Sequence, residues 1–471
     1  MLKCVLLIAS LVTSSLAVKK IPDHFLLGTG TSAFQVEGAW NEGGKGPSLW
    51  DTYLHNQNAT ENGDVACDSY HKWQEDVANA KALGLDFYRF SISWPRILPN
   101  GTLNNINQEG IDYYLNLIQA LKAENIEPMV TIYHWDMPQH IYELGGFLNP
   151  QFVDYFEDFS RLVYKLYGSY IKYWLTFNEP SLICQGGYGM GIMAPGLLLN
   201  GDGIYQCGYV LLKAHARAYR VYDEEFRAQY NGQVGLVVNF QWAEPASNST
   251  LDLEAQERYT EFELGFWVNP IYLGNWPQVM IDRISNRSKL EGLSRSRLPS
   301  FTQEEIEYIN GTHDFFAINT YGVYQVKYAP EPAISYPSYT FDLGVDIVND
   351  TTYYNPKGVR DMVNYISQKY QPNGIIITEN GKPSEDTLED MDRINLIRDY
   401  LGNLIDALVE DKVNVFGYSI WSLMDNFEWG SYKSKFGIIR VDFDSPNRTR
   451  TWKESAKWYQ NVIATRILDD A

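Results

Sequence analysis

Two glutamates lie at the ends of strongly apolar runs of the sequence. Glu179 follows the letters YWLTFN, and Glu379 follows GIIIT. An ionised side chain beside such a run is costly to bury unless it is paired or faces a cavity. Two carboxylates across one pocket can hydrolyse a glycosidic bond, because one protonates the leaving oxygen while the other attacks the anomeric carbon or activates water. The alternative is that both glutamates form structural salt bridges.

The elements that position these glutamates are predicted by eight apolar, β-rich runs, which alternate with stretches of helix-like spacing. Eight strand–helix units indicate parallel strands joined by crossover helices, so the predicted fold is α/β, a single (β/α)8 TIM barrel with long loops. An open doubly wound sheet is the structural alternative. The eight runs cover residues 25–34, 87–94, 127–135, 173–180, 233–240, 315–321, 374–381 and 415–421.

Seven of these runs end in polar or aromatic residues. In a barrel of this kind the carboxyl ends of the strands converge on the active site. Strands four and seven lie on roughly opposite sides of an eight-stranded barrel, so Glu179 and Glu379 can face one central pocket. The strand-end residues are Gln35, Glu37, Arg89, Trp94, His134, Trp135, Asn178, Glu179, Asn319, Tyr321, Glu379, Asn380 and Trp421.

Six motifs in this order resemble glycoside hydrolase family 1, the β-glucosidase family, and in particular its secreted insect members. They are QVEGAW, YRFSISWPRILP, YHWDMPQ, TFNEP, ITENG and WSLMDNFEW. The resemblance runs from about Pro22 to Tyr459, which is nearly the whole chain.

The resemblance implies a retaining two-step mechanism. Glu379 is then the nucleophile that forms a covalent glycosyl-enzyme, and Glu179 is the general acid that becomes the base for water. Retention requires the two carboxyl groups to lie about 5–5.5 Å apart. Arg89 and Tyr321 are expected to hydrogen-bond Glu379, and a cationic neighbour favours the ionised form. Asn319 is expected as a third supporting residue.

The same resemblance implies a set of sugar-binding residues. Amides, carboxylates and imidazole can satisfy hydroxyl groups that both donate and accept, and indole rings suit the apolar faces of a hexose. A carboxylate at Glu428 repels phosphate, so the chain resembles the branch that acts on non-phosphorylated sugars. The expected substrate-binding residues are Gln35, His134, Trp135, Asn178, Trp421, Glu428, Trp429 and Phe436.

Three functional alternatives follow from these residues. The first is a β-glucosidase acting on small β-glucosides or oligosaccharides, and the second is a β-thioglucosidase whose basic rim residues Lys382, Lys433 and Lys435 receive the sulfate of a glucosinolate. The plain explanation of these lysines is solvated surface charge. Plant thioglucosidases typically carry glutamine at the acid position, which Glu179 does not match. The third alternative, a non-catalytic sugar- or receptor-binding module, is disfavoured because both carboxylates remain.

The first residues have the features of a secretory signal peptide. Lys3 precedes a short apolar stretch, and Ser15 and Ala17 are the small residues that a signal peptidase reads. Residues 1–17 are therefore the predicted signal peptide, residues 18–471 the barrel domain, and the mature protein is expected to be secreted and extracellular. Seven N-x-S/T sequons fit that route. They are Asn58, Asn100, Asn248, Asn286, Asn310, Asn349 and Asn447.

Cleavage of this peptide removes Cys4 and leaves Cys67, Cys184 and Cys207. Three cysteines allow at most one intrachain disulfide. Cys184 and Cys207 bracket one loop-like stretch and are the favoured pair, while three unpaired thiols are the alternative.

Composition excludes some partners. The formal net charge is −20 and the pI about 4.8, whereas sequence-independent binding to nucleic acid needs a basic face. The same acidity disfavours anionic membranes. The seven histidines show no metal-binding spacing, and carboxylate chemistry requires no cofactor. The expected partner is a small-molecule glycoside, and the oligomeric state stays open.

Overall fold

Eight parallel strands form a closed barrel in the computed structural model, which describes residues 19–330, 336–349 and 354–468. Each strand pairs with the next along the chain, and the eighth pairs with the first. The predicted (β/α)8 barrel is confirmed, and each of the eight predicted runs contains one strand. The strands are β1 (Leu26–Gly30), β2 (Phe87–Ser91), β3 (Glu127–Tyr133), β4 (Tyr173–Asn178), β5 (Gln233–Asn239), β6 (Phe316–Asn319), β7 (Ile375–Asn380) and β8 (Val415–Trp421).

Helices occupy the connections between the strands. Between β1 and β4 they are Ala33–Val36, Leu49–Asn56, Ser69–Leu83, Trp94–Ile97, Gln108–Ala123, Gln139–Glu143, Phe152–Tyr167 and the 3-10 turn Gly146–Leu148. Between β4 and β6 they are Asn200–Val221, Arg227–Tyr230, Thr250–Thr260, Phe266–Tyr272, Gln278–Leu290, Gln303–Ile309 and the π-helical segments Leu182–Gly189, Tyr222–Phe226 and Glu261–Gly265. The remaining ones are Tyr339–Leu343, Lys357–Tyr370, Met391–Val409 and Glu454–Thr465.

The helix before β4 illustrates why these segments pack on the barrel. Phe152, Phe156, Phe159 and Val163 recur at three- and four-residue spacing and are all buried. That spacing places them on one helical face, while Asp154 and Lys165 of the same helix are exposed. The apolar stripe therefore fixes which side of the helix meets the strands.

The barrel interior changes character along its length. Apolar side chains fill the end where the strands begin. On β2, Phe87 belongs to this apolar layer, and Arg89, two residues later, is also fully buried. Residues two apart on a strand share a face, so the same face that supplies the core also carries the polar groups of the mouth. The apolar layer comprises Phe87, Met129, Tyr173, Leu175, Val237, Phe315, Ala317 and Ile376.

The additional chain length forms small sheets beside the barrel. Val323–Tyr328 lies between Trp242–Pro245, with which it is parallel, and Val345–Asn349, with which it is antiparallel. This three-stranded sheet follows directly on the carboxyl ends of β5 and β6. Two further pairs join Lys19–Lys20 to Ile467–Leu468 and Ile439–Val441 to Arg450–Trp452.

The cysteines and sequons have defined places outside the barrel. A disulfide joins Cys184 to Cys207, with 5.5 Å between their Cα atoms, and Cys67 is buried without a disulfide partner. Among the six sequon asparagines whose side chains are described, five are exposed and Asn100 is half-buried. The side chain of Asn349 and the predicted signal peptide, residues 1–17, lie outside the described residues. In the part of the chain that the structure describes, no helix is long and apolar enough to span a membrane.

Candidate active site

Glu379 lies near the end of β7, where two side chains hold its carboxylate. Arg89 Nη1 donates to Oε1 at 2.5 Å, and the Tyr321 hydroxyl donates to Oε2 at 2.6 Å. Arg89 is fully buried. A buried cation and a hydroxyl donor both stabilise the charged form of the carboxylate they contact. Both oxygens of the Glu379 carboxylate therefore accept a hydrogen bond, which fixes its orientation at the mouth of the barrel.

Arg89 makes further contacts across the barrel. Its Nη2 donates to Asn178 Oδ1 at 2.6 Å, and its Nε donates to Thr131 Oγ1 at 3.2 Å. A second bond from Nη1 reaches the carbonyl oxygen of Thr378 at 3.2 Å. One guanidinium group thus contacts β3, β4 and β7 from its own position on β2. Its fixed fork geometry suits this role, because several of its donors are used at once.

Glu179 follows β4 and has a different environment. It is buried, its backbone φ is +50°, and Asn319 Nδ2 donates to its Oε1 at 2.7 Å. Burial and, secondly, the negative charge of Glu379 raise the pKa of Glu179 above its usual value, against the opposing effects of Asn319 and Arg89. A carboxyl group in this environment keeps its proton at neutral pH and can donate it.

A continuous set of polar contacts links the two glutamates. Arg89 touches both Glu379 and Asn178, and Asn319 Nδ2 lies 3.1 Å from Asn178 Oδ1 as well as 2.7 Å from Glu179. Glu179 directly follows β4 and Glu379 lies on β7, and β5 and β6 separate these two strands on one side of the barrel. The two carboxyl groups therefore belong to one network of contacts but differ in their electrostatic surroundings, and an acid and a nucleophile require such a difference.

One group of predicted sugar-binding residues surrounds Glu428. Gln35 Nε2 donates to Glu428 Oε2 at 3.0 Å, and Trp421 Nε1 donates to Oε1 at 3.1 Å. Removal from bulk water raises the pKa of Glu428 to about 7. Gln35 also donates to Asn426 Oδ1 at 2.9 Å. Glu428 and Gln35 can together receive two neighbouring hydroxyl groups of a sugar.

Aromatic rings form the other side of the pocket. The ring of Trp429 lies 4.2 Å from that of Trp135 and 5.8 Å from that of His134, measured between centroids. The ring of His134 is 5.9 Å from that of Trp421. Such a wall offers apolar faces to a pyranose ring. Burial, helped by the Arg89 cation, lowers the pKa of His134 well below its usual value, so the imidazole is neutral.

The remaining predicted residues are also at the mouth. Asn178 Nδ2 lies 3.1 Å from His134 Nε2, and the ring of Phe436 lies 6.0 Å from that of Tyr321. All three supporting residues and all eight predicted sugar-binding residues therefore join the same network of contacts around the two glutamates. In contrast, two strand-end residues have structural roles. Glu37 pairs with Arg96 at 2.7 Å, and Trp94 stacks on Phe159.

The three lysines predicted at the rim differ from one another. Lys382 Nζ pairs with Asp392 at 2.5 Å. Lys435 is buried, with its ammonium group 4.5 Å from the centre of the Phe443 ring. Lys433 is exposed. Solvated surface charge therefore describes Lys433, whereas it does not describe Lys435, because packing against Phe443 takes that side chain out of solvent.

Asn426 and Gln241 are among the polar residues that contact the site but were not predicted from the sequence. Asn426 lies inside the motif WSLMDNFEW and binds Gln35. Gln241 follows β5, the one strand for which no polar end was predicted, and it binds the backbone of Tyr321. The signal for Gln241 lay directly after the apolar run, which ends at Phe240. Within residues 19–330, 336–349 and 354–468, no cluster of histidine, cysteine or acidic residues could hold a metal ion.

Comparison with known proteins agrees with this geometry. The model for Glycosyl hydrolase family 1 matches residues 17–467. Myrosinase 1 of Brevicoryne brassicae is 41% identical over 459 residues, which cover 95% of this chain and 99% of the relative. The cytosolic beta-glucosidase of Homo sapiens is 39% identical over 464 residues, which cover 95% and 99%. The solved structure of aphid myrosinase is 40% identical, superposes with a TM-score of 0.91, and covers 95% of this chain and 100% of that chain.

Both the pattern of carboxylates and the extent of these matches lead to one assignment. The barrel, the two glutamates and the residues predicted to bind sugar all lie within the region that the family model matches. The chain belongs to glycosyl hydrolase family 1.

Proposed function

We propose that the protein is a retaining β-glycosidase that removes terminal β-D-glucosyl residues from small glycosides or oligosaccharides. The observation that most directly supports this is the contrast between the two carboxyl groups. Glu379 contacts Arg89 and Tyr321, whereas Glu179 is buried with a raised pKa beside a single amide donor. One group is suited to attack carbon, and the other to deliver a proton.

The first step forms a covalent intermediate. The Glu379 carboxylate attacks the anomeric carbon from the face opposite the aglycone, and a carbon–oxygen bond forms as the glycosidic bond breaks. Glu179 transfers its proton to the leaving oxygen, so the aglycone departs as a neutral alcohol. Tyr321 and Arg89 contact the two oxygens of Glu379, which orients the carboxylate for attack.

The second step reverses these roles. Glu179, now ionised, accepts a proton from a water molecule, and the water oxygen attacks the anomeric carbon. The bond to Glu379 breaks, and this carboxylate is restored. Two displacements at one carbon return the product to the β configuration, which is the meaning of retention.

The glycone side of the pocket supports a preference for neutral hexoses. Glu428 accepts hydrogen bonds from Gln35 and Trp421 and directs carboxyl oxygen into the pocket. A phosphate group on the sugar would meet this acidic group, which disfavours phosphorylated sugars. The rings of Trp135, Trp421 and Trp429 supply apolar surface for the face of the pyranose.

A β-thioglucosidase acting on glucosinolates is the second candidate. It is favoured by the similarity to Myrosinase 1 and to the aphid myrosinase structure. The proposed sulfate-binding lysines give it little support, because Lys382 is paired with Asp392 and Lys435 is packed against Phe443. Glu179 also retains the acid that an oxygen leaving group needs.

A comparison of three substrates tests this choice. We expect kcat/KM for an aryl β-glucoside and for cellobiose to exceed that for a glucosinolate, because two of the three rim lysines are occupied. The measurement is initial rates with all three substrates under one buffer condition. A strong preference for the glucosinolate would replace the β-glucosidase proposal with the thioglucosidase one.

The exposed Lys433 provides the control for this comparison. Lys433→Ala is expected to leave all three rates within about twofold of the wild type, since a solvated charge contributes little. Lys412, exposed on the loop before β8 at the opposite end of the barrel, gives the matched variant Lys412→Ala. A selective loss on the glucosinolate in Lys433→Ala alone would identify a sulfate contact.

We also propose that the protein is secreted after removal of residues 1–17 and that it carries N-linked glycans. The signal-like features of these residues and the exposure of five sequon asparagines support this proposal. When the full chain is expressed in insect cells, we expect to recover from the culture medium a protein whose N-terminal residue is Val18. Treatment with a peptide N-glycosidase should lower its mass. Retention of Met1 or recovery only from the cytosol would contradict secretion.

A further inference from the structure

A short segment after β6 controls the partners of both glutamates. Asn319 ends β6 and donates to Glu179, while Tyr321 donates to Glu379. The residues 319–322 therefore carry one hydrogen-bond donor for the acid and one for the nucleophile. The position of this segment sets the geometry of both contacts.

The connection that follows β6 is one residue longer than the connection that follows β5. In the barrel, Asn239 of β5 pairs with Asn319 of β6, and in the adjoining sheet Trp242 pairs with Val323. Two residues intervene on the β5 side and three on the β6 side. Such an extra residue interrupts the ladder of backbone bonds and redirects the local side chains. Here the redirected side chain is that of Tyr321, which points to Glu379.

The side chain of Gln241 supplies hydrogen bonds where the backbone ladder between the strands is interrupted. Its Oε1 accepts the backbone N–H groups of Tyr321 at 2.7 Å and of Gly322 at 2.8 Å. Its Nε2 donates to Asn239 Oδ1 at 2.9 Å, which fixes the orientation of the amide. A backbone N–H without an acceptor is unfavourable inside a protein, so this one oxygen satisfies two groups that the extra residue would leave unpaired.

The opposite side of the segment is tied to β7. The backbone N–H of Thr320 donates to the carbonyl oxygen of Glu379 at 3.0 Å, and Asn380 Nδ2 donates to the carbonyl oxygen of Thr320 at 2.8 Å. The segment is thus anchored to the strand of the nucleophile on one side and to Gln241 on the other. Gln241 completes the restraint on the residue that contacts Glu379.

We propose that Gln241 is a positioning residue for hydrolysis: by accepting the two amides it holds Tyr321 in hydrogen-bond contact with the nucleophile. This inference rests on the proposed function, in which Glu379 is the nucleophile. Gln241 touches neither glutamate and acts through the backbone of Tyr321. Its loss is therefore expected to resemble the loss of the Tyr321 hydroxyl.

The test compares Gln241→Met with the matched variant Gln256→Met. Gln256 is likewise a half-buried glutamine. Its side chain also bonds to the backbone, by one hydrogen bond from Nε2 to the carbonyl oxygen of Ala243 at 2.7 Å. We expect Gln241→Met to lower kcat/KM for an aryl β-glucoside by about 10- to 100-fold, as small misplacements of reacting groups do. For Gln256→Met we expect kcat/KM within about twofold of the wild type, because the loss of one half-exposed hydrogen bond away from the glutamates has little effect.

The pH profile separates positioning from general destabilisation. Without the Tyr321 donor the nucleophile takes up a proton more readily, so the acidic limb of kcat/KM should move to higher pH in Gln241→Met, as it should in Tyr321→Phe. The double variant should be no worse than Tyr321→Phe alone, because both changes remove one interaction. Gln241→Glu keeps the acceptor oxygen and should recover activity at the pH plateau to within about threefold of the wild type.

Three outcomes overturn the inference: equal behaviour of Gln241→Met and Gln256→Met, an unmoved acidic limb, or independent losses in the double variant. If Gln241→Met does not fold, Gln241→Asn, which withdraws the oxygen by one methylene, takes its place in the same comparison. The proposed function is judged separately by Glu379→Gln. Full activity of that variant removes the nucleophile assignment, whatever the glutamine variants do.

Discussion

Glu379→Gln is expected to lower kcat/KM for an aryl β-glucoside by about 10⁵-fold, the scale on which loss of a covalent nucleophile acts. The amide is nearly isosteric with the carboxylate but cannot form the glycosyl-enzyme. It also leaves Arg89 without the charge that it now contacts at 2.5 Å. Initial rates measured with an activated aryl glucoside, at enzyme concentrations high enough to detect residual turnover, give the result.

Folding must be separated from chemistry in this experiment. Glu127 is the first residue of β3, at the other end of the barrel, and its carboxylate contacts Lys122 at 2.9 Å. Glu127→Gln is therefore a matched control, since it removes a barrel-strand carboxylate with an ion pair but without a place in the pocket. It should remain active, and both variants should unfold near the wild-type temperature. Near-normal activity of Glu379→Gln would mean that another group attacks the anomeric carbon. If the wild type is as inactive as the variant, a non-catalytic binding module is favoured.

Glu179→Gln is expected to act selectively. Hydrolysis of cellobiose, whose leaving group needs a proton, should fall by about 10³- to 10⁴-fold, the upper range for general acid catalysis. Cleavage of a dinitrophenyl glucoside should lose about tenfold or less in its first step, because this leaving group departs without protonation. Burst kinetics with the activated substrate and steady-state rates with cellobiose provide the two measurements. Equal losses on both substrates would contradict the role of Glu179 as the acid.

The pH dependence gives an independent check on this assignment. Burial and the charge of Glu379 raise the pKa of Glu179, so its active, protonated form persists to higher pH than an ordinary carboxyl group allows. Activity is then lost as the pH rises through this raised pKa. Glutamine has no such proton, so the basic limb should be absent from the profile of Glu179→Gln. A basic limb that survives the substitution would belong to another group.

The barrel could be predicted because its strands are buried on both faces. Runs such as GIIIT and the residues before Glu179 are apolar throughout, and such runs are typical of parallel strands covered by helices. The strand ends could be predicted for the same reason. A polar residue that follows an entirely apolar run marks the point where the buried strand ends. The short strands Trp242–Pro245 and Val345–Asn349 were not predicted, because they are four and five residues long and lie within longer connections.

The roles of residues that depend on the register between strands could not be predicted from the sequence. The role of Gln241 depends on one additional residue between the pairings of β5 with β6 and of Trp242 with Val323. No local pattern of types or spacing encodes such a mismatch. Glu37 and Trp94 show that a strand-end position does not by itself place a residue in the site. They end predicted runs as the site residues do, but a nearby Arg96 and the ring of Phe159 provide partners that only the folded chain brings close.

The contacts of Arg89 also bear on how the protein loses activity. This side chain lies on β2 and binds groups on β3, β4 and β7, so four strands must keep their places for its full set of contacts to exist. Opening of β2 or β7 breaks the contact with Glu379, and opening of β3 or β4 removes the bonds to Thr131 or Asn178 that hold the guanidinium group in place. Loss of this ion pair is therefore expected to accompany opening of the barrel strands themselves, so that activity and the barrel should be lost together on heating.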